Sequence, residues 1–247
     1  MIVKEFRVPL PLSVEQYRKG REYCIEKSLS NREDAEHESG VVETGKVYIN
    51  GDGTQGVYRK FKHNIGASFP SILRSLVSSK DELIEEVYDE YPYIRSSFTC
   101  RHLERFRIDT FTYYMADYGQ NGSIFKNSDF CADKEIEFEL IDILSSQQDA
   151  KIREQLLSFV PNNGNKQLKE NWLTGLQNGN SEHTSVMCSY KLMAIDYRYG
   201  FFESKVGNIL LNNSRKKMIN FHSNLWLSQN EWCRDMEDYS SNLGENN

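Results

Sequence analysis

The segment SVMCSYKLMAIDYRYGFFES, residues 185–204, alternates with the period of two that a β-strand imposes. Met187, Lys191, Met193, Ile195 and Tyr197 share one face; Cys188, Tyr190, Leu192 and Ala194 share the other. Both faces are apolar, so the strand needs cover on both sides, a helix layer on one and something else, which an apolar ligand could be, on the other. Lys191 interrupts this pattern in mid-strand. An ammonium taken out of water is costly unless an anion meets it. Lys191 therefore either pairs with Asp196 or Glu85, snorkels to the strand edge, or faces an anionic ligand. Tyr199, Phe201 and Phe202 crowd the exit of the strand.

On the C-terminal side, Met218, Phe221, Leu225, Trp232, Met236 and Tyr239 recur at helical spacing and predict one long amphipathic helix from about Glu203 to Tyr239. At the N-terminus, Val3 to Pro9 alternates as a strand that ends at Pro9 and Pro11. Ser13 and Gln16 have capping-box spacing and predict a helix to about Leu29, with a loop from Ser30 to Gly40. Strands are expected at Val41–Ile49, Val57–His63, Tyr93–Cys100, Glu104–Tyr114 and Glu135–Ile143. Short helices are expected at Pro70–Val77 and Asp81–Tyr88, and Asp149–Ser185 carries little signal beyond Trp172. Gly51, Gly53 and Gly56 spell the dinucleotide fingerprint. The fingerprint requires a helix N-terminus immediately after it, whereas Val57-Tyr58-Arg59-Lys60-Phe61-Lys62 alternates like a strand, so the glycines read as a hairpin. Strands in runs, bracketed by helices and without βαβ alternation, define an α+β class with a largely antiparallel sheet.

The 247 residues suit one domain, 1–247, with formal net charge −6, which argues against nucleic acid as a partner. Five scattered cysteines and five histidines lack metal-ligand spacing, so no metal or cofactor is expected. No apolar run approaches the roughly 18 residues of a membrane span, and charges occupy the start MIVKEFRVPLPL. A soluble, cytoplasmic monomer is the expectation. There is no G-x-S-x-G and no H-E-x-x-H, which argues against an enzyme.

The motifs VKEFRVPLPLSVEQYRKGREY, GDGTQGVYRKFKH, YPYIR (Tyr91–Arg95), MCSYKL (Met187–Leu192) and NFHSNLW (Asn220–Trp226) resemble, in order and spacing, the class I phosphatidylinositol transfer proteins. The resemblance implies a START-like helix-grip fold, in which a curved sheet and a long C-terminal helix enclose one phospholipid, head group inward. It implies that Lys191 meets the lipid phosphate and that Glu85 and Ser96 line the head-group site. At the family's threonine and lysine after the glycine turn stand Arg59 and Phe61, with Lys60 and Lys62 on the opposite face; Asp89 stands at the family's asparagine. Tyr199, Phe201 and Phe202 take the place of a tryptophan pair that dips into the membrane, an environment aromatic rings favour. The implied function is binding and intermembrane exchange of phosphatidylinositol, phosphatidylcholine or both, with transient membrane contact. The alternative is a lipid sensor that presents a phospholipid to signalling partners without delivering it.

Overall fold

The computed structural model describes residues 1–33, 39–64, 82–122, 124–125, 136–146, 149–180, 182–198 and 203–234. Strand β1 (Ile2–Leu10) runs one residue past Pro9 and turns into helix α1 (Val14–Glu33). The capping box forms: Gln16 N–H donates to Ser13 Oγ at 3.0 Å, and Ser13 N–H donates to Gln16 Oε1 at 2.8 Å. The helix extends beyond the expected Leu29, and β2 (Ser39–Ile49) begins inside the segment expected to be a loop. Next come β3 (Gln55–Asn64), β4 (Glu82–Glu90), β5 (Tyr93–Cys100), β6 (Phe106–Met115) and a short β7 (Phe138–Leu140). Helices α2 (Ala150–Ser158) and α3 (Trp172–Gln177) precede β8 (Met187–Tyr197), and α4 (Glu203–Leu227) and α5 (Gln229–Trp232) come after it. The expected helix at Pro70–Val77 lies outside the described residues.

Among the described residues, the strands make one curved eight-stranded sheet in the order β2-β3-β4-β5-β6-β8-β1-β7. All pairings are antiparallel except β1 with β7. The glycine-rich link is a hairpin: Asn50 N–H bonds Thr54 O at 2.9 Å, and Gly53 sits at φ 88°, a conformation that favours glycine. The chain runs from it straight into β3, with no helix N-terminus, which disposes of the nucleotide fingerprint.

The two faces of β8 enter different clusters. Met187, Met193, Ile195 and Tyr197 pack with Phe6, Val8 and Leu10 of β1, Tyr17 of α1, and Val206, Leu210, Met218 and Trp226 of α4. Cys188, Tyr190 and Leu192 pack with Phe125, and Val3, Phe111, Met115, Ile124 and Ile136 gather around them. The chain between β6 and β7 therefore contributes the cover on the second face. On the first, α4 lies against β1 and β8. We call that helix-covered side the inner face.

Two expectations fail for identifiable reasons. The helix expected at Asp81–Tyr88 does not form; residues 82–90 are strand β4. Its acidic side chains are answered across strands by β3: Lys62 Nζ is 2.9 Å from Glu82, His63 Nε2 2.7 Å from Glu85, and Lys60 Nζ 3.5 Å from Glu86. Tyr58 O–H also donates to Glu86 at 2.7 Å. Cross-strand charge pairing outweighs a segment's own helical pattern. The long C-terminal helix is likewise interrupted at Ser228. There Gln229 Nε2 donates to Trp226 O and Trp232 Nε1 to Leu225 O, each at 3.1 Å, so side chains of the next turn satisfy carbonyls that the helix end leaves open.

Candidate functional site

Cross-strand register places all six sequence-derived head-group positions on the inner face. Lys191 stands between Phe6 and Thr112, Thr112 opposite Ile94, and Ile94 opposite Asp89. Along the same face, Thr110 is opposite Ser96, Ser96 opposite Val87 and Val87 opposite Arg59. One pleat further, Phe98 is opposite Glu85, and Glu85 opposite Phe61. No register slip occurs between β3 and β4. Lys60 and Lys62 stay on the outer face with their glutamates.

Lys191 is the centre of this face. Burial pushes its pKa down; Glu85 attracts the ammonium, while Arg21 and Lys217 repel it. Among the described residues it forms no ion pair and no hydrogen bond. The pairing with Asp196 does not occur: Asp196 points to the other face, where Arg198 Nη2 holds its carboxylate at 2.8 Å. Hydroxyls flank the lysine instead, from Thr112 beside it and from Ser96 and Thr110, whose oxygens are 2.7 Å apart.

Asp89 is already engaged. Arg21 Nη2 from α1 bonds it at 2.7 Å and Arg59 Nη1 from β3 at 3.2 Å, so one carboxylate ties the helix to the sheet. Nearby, Tyr17 O–H donates to His222 Nε2 at 3.2 Å, because His222 Nδ1–H is committed to Met218 O at 2.7 Å. Burial is the main cause that brings the His222 pKa down to about 4, with Lys191 adding to it, so the imidazole is neutral at pH 7. The ring of Tyr114 lies 4.8 Å from Tyr17 and 5.4 Å from Tyr91.

Sequence reading missed Arg21, His63, Thr110, Thr112, Tyr17 and His222 as members of this face. Signals existed: Tyr17 and Arg21 are one helical turn apart, and Thr110 and Thr112 alternate on β6. Their assembly with Lys191 depends on strand order. The docking aromatics Tyr199, Phe201 and Phe202 lie outside the described residues. Of the basic run on α4, Arg215 is tied to Glu139 of β7 at 2.6 Å, while Lys216 and Lys217 are exposed.

A curved sheet with a long helix across one face, and on that face a lysine that closes no ion pair among the described residues and a group of hydroxyls, defines an α+β helix-grip class of domain. Comparison narrows the class. The family described as phosphatidylinositol transfer protein matches residues 1–240, and the chain belongs to that family. Its fold is the START-like one. The chain is 31% identical over 238 residues, 94% of its length, to human membrane-associated phosphatidylinositol transfer protein 2, and covers 17% of that protein. It is 32% identical over 247 residues to the Drosophila melanogaster protein retinal degeneration B, covering 94% of this chain and 19% of the other. It is 30% identical over 237 residues to cytoplasmic phosphatidylinositol transfer protein 1 of Xenopus tropicalis, covering 94% and 69%. The chain thus spans under a fifth of the length of the first two of these relatives.

Proposed function

We propose that this protein binds one phospholipid between the sheet and α4 and exchanges it between membranes. Lys191 carries the reading: a largely buried ammonium that closes no ion pair among the described residues, flanked by hydroxyls, is chemistry suited to the phosphate of a phospholipid. Thr112, Ser96 and Thr110 supply neutral donors beside it. The acyl chains lie along the apolar inner face. Moving them through water would cost about 0.8 kcal/mol per exposed CH₂, and an enclosed apolar site removes that cost. The work is binding, not bond making, and the cargo is the phospholipid itself; no cofactor takes part. The protein acts as a monomer in the cytoplasm, with transient membrane contact through Tyr199, Phe201 and Phe202.

The test is transfer of a labelled phospholipid from donor to acceptor vesicles. Wild type accelerates transfer, and Lys191→Met lowers the rate about tenfold or more, the loss expected when a charge-assisted hydrogen bond disappears. A lipid-loaded wild type that moves no lipid would favour a sensor. Absence of any loaded diacyl lipid would refute the proposal.

A further inference from the structure

Lys191 is a positive pole on the inner face, and Glu85 is its negative counterpart. The carboxylate attracts the ammonium, yet the two do not close into an ion pair, so the inner face carries opposite poles on β8 and β4, with β6 and β5 between them. The surroundings of Glu85 are aromatic. It stands directly between Phe61 of β3 and Phe98 of β5. His63 holds one carboxylate oxygen at 2.7 Å, and its ring lies 6.3 Å from that of Phe61 and 6.1 Å from that of Phe98.

Resting on the phospholipid reading above, we infer that Phe61, Glu85 and Phe98 select a zwitterionic head group ending in a quaternary ammonium, in preference to inositol. The phosphate meets Lys191, and the trimethylammonium meets the carboxylate and the faces of two phenyl rings. A quaternary ammonium has no N–H to satisfy, so aromatic faces and one carboxylate answer all of its chemistry. An inositol ring needs a partner for each hydroxyl, and an unmet one is costly. Phe61 and Phe98 offer no hydrogen bond. Asp89 is engaged by Arg21 and Arg59, and Lys60 and Lys62 are held on the other face.

The experiment incubates the full chain with vesicles of equimolar phosphatidylcholine, phosphatidylethanolamine and phosphatidylinositol. Native mass spectrometry then identifies the lipid retained. Phosphatidylcholine should exceed phosphatidylinositol. Phe61→Leu, which keeps an apolar side chain without the ring, should lower that preference by about three- to tenfold, in line with one cation–π contact; Phe61→Lys should move it toward phosphatidylinositol. Enrichment of phosphatidylinositol by wild type would overturn the inference and leave the carrier function standing. Equal retention of phosphatidylcholine and phosphatidylethanolamine would also overturn it. Retention of no diacyl lipid would overturn both readings. The wild-type competition decides even where a variant fails to fold.

Discussion

Lys191 is a charge that the fold holds at a cost. Burial lowers its pKa, so its unfolded form binds the proton more tightly, and the lipid-free fold gains stability as pH rises toward the unfolded lysine value. At pH 7 the ammonium therefore weakens the fold, and on the proposed function a lipid phosphate would relieve that cost. Lys191→Met should raise the stability of lipid-stripped protein in urea by about 1 kcal/mol or more, since replacing a poorly compensated buried charge with an apolar side chain is commonly stabilising. The same variant should lose lipid. A lower denaturation midpoint for it would mean that the lysine is held by partners after all. Arg7 shows the opposite solution on the outer face. Its Nε is 2.5 Å from Glu5, its Nη1 donates to Gly119 O at 2.7 Å, and its guanidinium lies 3.7 Å over Phe138, so that charge is matched within the protein.

At the scale of elements, the acidic β4 exists as a strand because β3 is basic, and the hairpin before β3 is shaped by what lies on Gly56. A Cβ there would come within 2.4 Å of the Tyr48 ring, whose hydroxyl bonds Glu90 at 2.5 Å. Gly56→Ala should displace that ring and lose its bond, costing about 1–3 kcal/mol, the range for an overpacked site. Chemical denaturation checks it; a cost near zero would show that the ring moves freely. Much of this level is legible in the sequence. Tyr93–Cys100 matches β5 residue for residue, the Ser13–Gln16 box caps α1, and the hairpin stands where the glycines put it. Asp149 carries a further signal of the same kind: its Oδ1 accepts from Lys151 N–H at 2.9 Å and caps α2. The strand β4 is illegible because alternation and a helical stripe coincide in ELIEEVYDE.

Across the whole molecule, α1, the sheet and α4 meet through Tyr17, Asp89 and His222. His222 makes their union sensitive to acid. Its folded pKa of about 4 lies below the unfolded 6.5, so above pH 6.5 it contributes no pH dependence. As pH falls from 6.5 toward 4, the unfolded chain takes up a proton that the folded protein refuses, and stability drops by up to about 3 kcal/mol before levelling off. Urea midpoints between about pH 7 and 4.5 should fall steeply for wild type and less for His222→Gln; equal slopes would assign the acid sensitivity elsewhere. By itself, the sequence determined the strand alternation, the hairpin, the helix cap and the oddity of a lysine in an apolar strand, because each is a relation between residues a few positions apart. Which face Asp89, Arg59, Phe61 and Glu85 share with Lys191, and that Arg21 and His222 join them, was decided only by strand order and helix docking. Those bring together residues separated by tens to hundreds of positions, where side-chain spacing along the chain carries no information about contact.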